Sequence, residues 1–347
     1  MKEKILPSLT NGKQSAIINI YGIYQCYGEV QQRSENMLNI LVTGGAGYIG
    51  SVLVPLLLSK GCRVTVLDNF MFNQSSLLEC CANPNFEIIN ADARNEVAVK
   101  AAMKGKDYII PLAALAGFPI CDKEACSAYS INLDAIKMIL RLREKGQRII
   151  FPCTNSGYGL GEGESYCTEN SPIKPISIYG KSKVEAEAAV LSESGTTAFR
   201  FATLFGASPR MRTDLLVNDF VYRAVFDRTI VIFEGSFKRN YLHVRDAANA
   251  FWFAIENFER MEGGTHNCGL SDSNLSKIEL CEKIKLHLPK FVYIEAPVGE
   301  DPDKRNYIVS NEKFEALGWR PLYSLDDGIE ELKKAYQIIK NNQYSNI

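Results

Sequence analysis

The sequence lacks the features that mark several large classes of protein. It has no apolar run of about 18 residues, the length at which a helix can span a membrane. Its 39 lysines and arginines are balanced by 40 aspartates and glutamates, so no excess of positive charge indicates binding to nucleic acid or to an anionic membrane. The three histidines are scattered and no C-x-x-C pair occurs, which argues against a zinc site. We therefore expect no metal, no nucleic acid and no membrane as partners.

The composition is that of an ordinary globular protein, with 46% apolar and 23% charged residues in a chain of 347. Ten cysteines in so long a chain do not suggest a secreted disulfide scaffold, which is normally shorter. We therefore expect a reducing, cytoplasmic environment.

The first 36 residues differ from the rest of the chain. Their segment "SAIINIYGIYQCYG" is moderately apolar but is interrupted by Asn, Gly and Gln, and no small-residue cleavage site follows it. It is therefore a poor signal peptide. We predict that the regular fold begins at Met37, and that residues 1–36 are an N-terminal extension to which the sequence assigns no role.

Short apolar runs alternate with helical patterns over residues 37–205. The apolar runs are continuous, which indicates strands buried on both faces. We predict strands at 39–43, 63–68, 86–90, 107–114, 147–154 and 196–202, and helices at 51–61, 123–145 and 179–193. This alternation predicts an α/β protein with a Rossmann-type, doubly wound parallel sheet.

The simple alternation ends after Phe205. Helical patterns return at 245–258, 275–287 and 325–339, with a strand-like "IVIFEG" before them. We predict that residues 206–347 form a smaller C-terminal α/β substrate lobe, with segments that rejoin the first domain.

A glycine-rich turn stands between the first predicted strand and the first predicted helix. In "NILVTGGAGYIGSVL", Gly44, Gly45, Gly47 and Gly50 satisfy G-x-G-x-x-G and G-x-x-G-x-x-G. Glycines permit the tight turn, the close approach of a pyrophosphate to the backbone and the packing of helix on strand. The helix N-terminus supplies amides and partial positive charge for the phosphates. The segment therefore predicts a dinucleotide-binding site.

Asp68 ends the second predicted strand, 18 residues after Gly50. A carboxylate at this position can accept hydrogen bonds from both adenosine-ribose hydroxyls and would repel a 2′-phosphate, which favours NAD over NADP. Asp92 ends the next strand and is expected near the adenine.

The segment "SIYGKSKVEAEAAV" places Tyr179 and Lys183 four residues apart, on one face of a helix. A cation beside a phenol favours the phenolate, so Lys183 is expected to lower the pKa of Tyr179. Tyr179 could then exchange a proton with a substrate near neutral pH. By itself this pair is a common surface pattern.

The order and spacing of these motifs make the sequence resemble the extended short-chain dehydrogenase/reductase family, in its branch of NAD-dependent nucleotide-sugar epimerases and dehydratases. The resemblance covers residues 37 to about 340. It rests on "TGGAGYIG", "LDN", "LAA" (112–114), "TNSGYG", "YGKSK", "FRFATLFG" and "RNYLHVRD".

The resemblance implies a catalytic triad. Tyr179 would be the base on a sugar hydroxyl, Lys183 would bind the nicotinamide ribose, and Thr154 would hydrogen-bond the hydroxyl that is oxidised. The cofactor residues that it implies are Gly44, Gly47, Tyr48, Ile49, Gly50, Asp68, Asn69, Asp92, Ala93, Leu112, Ala113, Ala114, Asn132, Tyr179, Lys183 and Phe201. Asn132 would support the cofactor from the following helix. Thr203 stands where the family usually has Asn, which leaves that contact open.

The resemblance also implies a nucleoside-diphosphate sugar as substrate. Arg239 and Arg305 match arginines that clamp the diphosphate, a role that suits the guanidinium group. Asn218 matches a polar contact to the same region, and Asn155 and Ser156 would contact the sugar. A homodimer is expected, built by packing the helices around 123–145 and 179–193 into a four-helix bundle.

The residues after Thr154 bear on the reaction. The 4,6-dehydratase pattern places Asp and Glu there, whereas this chain has Asn155 and Ser156, which cannot shuttle protons as carboxylates do. Dehydration is therefore disfavoured, and oxidation at C4 and 4-epimerisation stay open. "TNSGYG", "SPRMRTDLLVNDF" and "GEDPDKRNYIVSN" resemble bacterial enzymes that oxidise GDP-heptose at C4 for surface glycans. A non-catalytic NAD-sensing protein is a further alternative, although the full Thr–Tyr–Lys set argues against it.

Overall fold

The computed structural model describes residues 37–298, except 162 and 164, and residues 305–339. The extension predicted over residues 1–36 lies outside the described residues. No helix in the described ranges is long and apolar enough to cross a membrane.

The strands and helices have the following bounds. The strands are β1 (Asn39–Thr43), β2 (Arg63–Asp68), β3 (Phe86–Asn90), β4 (Tyr108–Pro111), β5 (Arg148–Thr154), β6 (Tyr166–Cys167), β7 (Thr196–Phe201), β8 (Thr203–Phe205), β9 (Thr229–Ile232), β10 (Lys238–His243), β11 (Thr265–Cys268), β12 (Asn274–Ser276), β13 (Val292–Glu295) and β14 (Ile308–Val309). The helices are α1 (Gly50–Ser59), α2 (Glu96–Met103), α3 (Phe118–Lys123), α4 (Ala125–Tyr129), α5 (Ala135–Leu142), α6 (Ile178–Leu191), α7 (Leu216–Phe226), α8 (Val244–Glu256), α9 (Phe258–Met261), α10 (Lys277–His287), α11 (Glu312–Glu315) and α12 (Leu325–Ile338).

A seven-stranded sheet forms the centre of the fold, in the order β3-β2-β1-β4-β5-β7-β11. Every pairing in it is parallel. The strand order reverses between β1 and β4, and a doubly wound sheet opens a crevice at the carboxyl ends of the strands at such a point. The predicted Rossmann-type α/β fold is therefore confirmed.

Both faces of this sheet are covered. Successive residues of β1 belong to different cores, because Ile40 and Val42 pack with α1 and α8 while Leu41 packs with α2, α5 and α6. Side chains that alternate between two buried layers explain why the strands read as continuous apolar runs.

The predicted helix over residues 123–145 is interrupted. The structure has α3, α4, a π-helical turn at Ser130–Asp134 and α5 in its place. The break between α3 and α4 is at Glu124, whose φ of −121° and ψ of 51° are not helical. The predicted strand over 107–114 is also shorter, and the chain turns away after Pro111.

The C-terminal part of the chain contributes small sheets and also returns to the main one. β8, β10 and β12 form one sheet, β9 pairs with β13, and β6 pairs with β14. β11 extends the main sheet beside β7, and α8 packs against α1.

Glu331 on α12 connects three parts of this region. One carboxylate oxygen lies 2.6 Å from His243 Nε2 and accepts a hydrogen bond from Ala207 N at 3.0 Å, and the other lies 3.0 Å from Arg245. Burial raises the pKa of Glu331, but its partners, led by His243, outweigh burial and lower the pKa to about 2. His243 is fully buried, and its ring accepts a hydrogen bond from Arg245 N, which caps α8.

The glycine turn after β1 packs closely against the loop after β4. Gly44 has a φ of +68°, and a Cβ added to it would lie 2.5 Å from Ala113 N. Gly50 permits a second close approach, because a Cβ there would lie 2.3 Å from Gly45 O. These contacts explain the glycine pattern in the sequence.

Gly44→Ala is expected to destabilise the fold more than Gly61→Ala. Both residues have positive φ, but an added Cβ at Gly61 meets nothing within 4 Å. In each variant the alanine in a positive-φ conformation should lower the free energy of unfolding by about 1–2 kcal/mol. In Gly44→Ala, overpacking should lower it by a further amount of about 1–3 kcal/mol. Urea unfolding measures both losses, and equal losses would contradict the close contact.

Glu331→Gln is expected to lower the free energy of unfolding at pH 7 by about 2 kcal/mol, because a partly buried acceptor of several hydrogen bonds loses its charge. Since the folded-state pKa is about 2 and the unfolded value is about 4.3, wild-type Glu331 stabilises the fold above pH 4 or so and loses this effect as the pH falls toward 2. The difference between variant and wild type should therefore shrink in acid.

Glu330→Gln on the same helix is the matched control, and its side chain is 46% exposed. Its effect on urea unfolding should be smaller because solvent screens its ion pairs. A Glu331→Gln difference that stays constant between pH 4 and pH 2 would contradict the assignment.

Candidate active site

A cleft of about 280 Å³ lies at the carboxyl ends of the central strands. It is lined from the glycine turn, the ends of β2, β4, β5 and β7, the start of α6, and two segments of the C-terminal lobe. Every residue predicted to bind the cofactor lines it, with the exception of Asn132.

The turn leaves the start of α1 open to the cleft. Gly44, Gly47, Tyr48, Ile49 and Gly50 all line it. With no side chain on three of these residues, a ligand can approach the backbone amides at the positive end of the helix. This arrangement suits an anionic diphosphate.

Asp68 presents its carboxylate to the same cleft and is only 7% exposed. Burial raises the pKa of Asp68 above its ordinary value, although hydrogen bonds from Phe70 N at 2.8 Å and Ala46 N at 3.0 Å oppose that shift. These backbone bonds fix the carboxylate at the end of β2, where it can accept ribose hydroxyls.

Asp92 lies at the far edge of the cleft and is paired with Arg94. The guanidinium makes two hydrogen bonds with this carboxylate, at 2.9 and 2.7 Å, and they lower the pKa of Asp92 to about 2. Asn69 lines the cleft nearby and donates to Asp92 at 3.4 Å. Arg94 is thus held by Asp92.

Asn132 lies behind the cleft wall. Its side chain accepts from Leu115 N at 2.9 Å, and donates to Leu115 O at 3.0 Å and to Ser182 Oγ at 3.2 Å. It therefore joins the loop after β4 to α6. Leu112, Ala113 and Ala114, on the same loop, line the cleft directly.

Thr154, Tyr179 and Lys183 line the cleft together. Thr154 ends β5, and Tyr179 and Lys183 lie one turn apart at the start of α6. Lys183 is 3% exposed, and its Nζ lies 4.1 Å from the centre of the Phe151 ring. Burial lowers the pKa of Lys183 to about 8. The triad is thus gathered at one end of the cleft, beside Phe201 on β7.

The expected lowering of the Tyr179 pKa by Lys183 is not found. Burial raises the pKa of Tyr179, and the cations that oppose this are Arg212 and Arg305. Lys183 is itself desolvated, so burial disfavours the charge that would lower the pKa of the phenol.

The structure separates the predicted substrate residues into two groups. Arg305 lines the cleft, whereas Arg239 does not. Arg239 is 2% exposed on β10, with its guanidinium carbon 6.0 Å from the centre of the Tyr307 ring. The diphosphate clamp that the resemblance implies for Arg239 therefore stays a prediction.

Asn218 is also buried away from the cleft wall. Its amide accepts from Gly206 N at 3.0 Å, and donates to Arg212 O at 2.8 Å and to the Tyr48 hydroxyl at 3.3 Å. These bonds make it a structural link between the lobe and the glycine turn. The predicted substrate contact is not supported by this placement.

Asn155 and Ser156 lie just behind Thr154. Ser156 is 2% exposed and bonds Thr154, while Asn155 is fully buried. Neither side-chain polar atom of Asn155 has a hydrogen-bond partner among the described residues. Thr203, at the position where the family pattern has Asn, lines the cleft, and its hydroxyl also lacks a partner within the described ranges.

The cleft is also lined by two arginines of the C-terminal lobe, and the sequence assigns neither of them a role. Arg210 lies over the Phe72 ring at 4.6 Å, and its charge opposes the raised pKa of Asp68. Arg212 is held by Asp214 at 2.9 and 3.0 Å and donates to Ala116 O at 3.3 Å. They place positive charge along the length of the cleft. Their common segment "SPRMR" was the only sequence signal.

No cluster of three or more His, Cys, Asp or Glu side chains that could hold a metal ion occurs within the described ranges.

Comparison with known proteins places this geometry in context. A family model described as the NAD dependent epimerase/dehydratase family matches residues 40–269. UDP-glucuronic acid decarboxylase 1 of Arabidopsis thaliana is 28% identical over 309 residues, which are 85% of this chain and 69% of that protein. UDP-glucose 4-epimerase of Corynebacterium glutamicum is 26% identical over 308 residues, which are 82% and 91% of the two chains.

A solved structure is similar as well. The UDP-glucose 4-epimerase of Thermotoga maritima with UDP-glucose superposes with a TM-score of 0.76 at 25% identity, over 88% of this chain and 100% of that chain.

Lys183 is expected to titrate near pH 8, so that it is charged below this pH and neutral above it. An exposed lysine titrates near 10.4, about two units higher. NMR titration of protein carrying 13Cε-labelled lysine would measure this, with Lys183→Met to assign the signal and exposed Lys181 on the same helix as an internal reference. A Lys183 signal that does not change below pH 10 would contradict the desolvated environment.

Proposed function

Because this chain belongs to the NAD dependent epimerase/dehydratase family, we propose that it oxidises the C4 hydroxyl of a nucleoside-diphosphate sugar to a 4-keto sugar nucleotide. NAD is its cofactor. The observation that carries the proposal is the convergence of Thr154, Tyr179 and Lys183 with the glycine turn and Asp68 in one cleft.

The residues of the cleft suit NAD along its length. Gly44, Gly47 and Gly50 would hold the pyrophosphate against the start of α1, and the Asp68 carboxylate would accept the adenosine-ribose hydroxyls. Lys183 would bind the nicotinamide ribose. When bound, NAD accepts a hydride from the carbon that is oxidised.

The triad would handle the proton of the same step. The Tyr179 phenolate takes the proton of the C4 hydroxyl. The C4–H bond breaks as the C4=O bond forms. The Thr154 hydroxyl holds the sugar oxygen in place. Since burial raises the pKa of Tyr179, positive charge at this end of the cleft is needed for the phenolate to form.

The distribution of carboxylates argues against dehydration. Among the described residues that line the cleft, the carboxylates are Asp68 and Asp92, which follow β2 and β3. Both lie on the opposite side of β1 from Thr154. Asn155 and Ser156, next to Thr154, are buried behind the cleft wall and carry no group that titrates near neutral pH.

At the finer level, we propose GDP-heptose as the substrate and surface-glycan synthesis as the setting, on the segments "TNSGYG", "SPRMRTDLLVNDF" and "GEDPDKRNYIVSN". The NADH formed would then be reoxidised by a second carbonyl compound. The alternative is a 4-epimerase, in which the keto sugar rotates in the cleft and is reduced on its other face. The relative from Corynebacterium glutamicum, at 26% identity, is named as a UDP-glucose 4-epimerase. The homodimer stays a prediction.

A substrate panel tests this proposal. Protein loaded with NAD is mixed with GDP- and UDP-sugars, GDP-heptose among them, while absorbance at 340 nm reports NADH and NMR identifies the product. We expect NADH and a 4-keto sugar nucleotide in equal amounts. Tyr179→Phe should lower the rate by about 10²–10⁴-fold because it removes the base.

Two outcomes would decide against the proposal. Recovery of only a C4 epimer, without net NADH, would replace the dehydrogenase by the epimerase. NAD binding without turnover of any sugar would support an NAD-sensing protein instead.

A further inference from the structure

We propose that Arg200 is a positioning residue of the reaction centre, whose guanidinium holds α6 and the turn after Thr154 against β7 in one fixed arrangement. Its buried ion pair with Glu187 is the central contact of this role. The effect of Arg200 on the rate rests on the proposed function, whereas its effect on the position of Lys183 does not.

Arg200 lies on the strand beside the one that ends in Thr154. In the register of β5 with β7, Arg200 is opposite Cys153, the residue before Thr154. Paired residues of neighbouring strands point to the same face of the sheet, and the Cys153 thiol donates to Lys183 O on α6 at 3.5 Å. The Arg200 side chain therefore faces the helix that carries Tyr179 and Lys183.

Glu187 connects the guanidinium to this helix. It follows Lys183 by one turn of α6, as Lys183 follows Tyr179. Arg200 Nη2 donates to Glu187 Oε1 at 2.6 Å, and Arg200 Nε lies 3.0 and 3.2 Å from the two carboxylate oxygens. Arg200 is 6% exposed and Glu187 is 4% exposed. The pair has little freedom to separate, because separation would leave an uncompensated charge away from water.

The remaining donors of the same guanidinium reach the chain that follows β5. Arg200 Nη1 donates to the Tyr158 hydroxyl at 3.1 Å and to Glu169 O at 3.2 Å. Tyr158 lies in the turn that directly follows Thr154, and its hydroxyl donates to Asn267 Oδ1 on β11 at 2.7 Å. Asn267 N donates in turn to the Glu169 carboxylate at 2.7 Å. One side chain thus joins α6, the turn after Thr154 and β11.

An ion pair suits this role better than an apolar contact. Replacing a buried ion pair by apolar side chains of similar volume is often neutral or stabilising, so stability alone does not require the pair. The donors of a guanidinium have fixed directions, whereas apolar contacts are non-directional. The network therefore determines where the helix lies relative to the end of β5, and not only that the two are packed together.

Two changes at Arg200 separate position from stability. The double variant Arg200→Met with Glu187→Met turns the pair into an apolar contact, which should keep the stability but lose the directional bonds. Arg200→Lys keeps both charges and loses the planar fork of donors. Asp219→Met with Arg223→Met is the matched control, because this pair on α7 is partly exposed and neither residue lines the cleft.

The first measurement needs no substrate. Lys183 Nζ lies 4.1 Å from the centre of the Phe151 ring on β5, so the adjoining Cε methylene is exposed to the ring current of that phenyl group. NMR follows NAD-loaded protein with 13Cε-labelled lysine at about pH 6, where Lys183 is charged because its pKa is about 8. Both Arg200 variants should move the Lys183 methylene proton signal toward that of exposed Lys181. The control should leave the signal in place.

The second measurement is single-turnover NADH formation with the nucleotide sugar that the panel identifies. We expect the double variant at Arg200 and Glu187 to lower the rate by about 10–100-fold, since a misplacement of about 1 Å can cost about 100-fold, while KM for the sugar changes by less than about twofold. Its midpoint of urea unfolding should stay near that of the wild type. Arg200→Lys should give an intermediate rate.

An unchanged Lys183 signal in both Arg200 variants would overturn the proposal, and so would a full rate in the double variant. If the double variant does not fold, Arg200→Lys decides by the same signal, which reports geometry because both charges are kept. If no sugar reduces NAD in the wild type, the proposed function fails, and the Lys183 signal still decides the role of Arg200.

Discussion

The close packing of Gly44 against Ala113 is the constraint on which the rest of the cleft depends. It brings the end of β1 to within contact of the loop after β4, at the point where the strand order reverses. The turn and residues 112–115 both line the cleft, and a side chain at position 44 would force them apart. Asn132 fixes the other side of the same loop to α6, which carries Tyr179 and Lys183. The cofactor groove and the helix α6 that carries Tyr179 and Lys183 are therefore positioned by one continuous set of contacts.

The parts of this arrangement that the sequence predicts are those with a local physical signature. Glycines at 44, 47 and 50, the aspartate that ends β2, and a tyrosine one helical turn before a lysine each have a fixed relation to a strand or helix. Parallel strands bring their carboxyl ends to one edge, so these residues meet once the alternation of strands and helices is recognised.

The parts that the sequence does not predict depend on the direction of a side chain. Arg239 and Arg305 both match charged positions of the family, yet only Arg305 is among the described residues that line the cleft, where it bonds Ser156 in the loop after Thr154. Arg212 lines the cleft although the sequence assigns it no role. The helix at 123–145 breaks because Asn132 is recruited to the 112–115 loop while Glu124 leaves the helical conformation. Such choices are made by tertiary contacts that no local pattern encodes.

Asn155 has a consequence for the evolution of the protein. A fully buried amide without a hydrogen-bond partner among the described residues costs about 1–3 kcal/mol, a large fraction of the stability of an ordinary domain. Selection for stability alone would replace it with an apolar side chain of similar volume, so its presence beside Thr154 marks a place where the chain trades stability for chemistry.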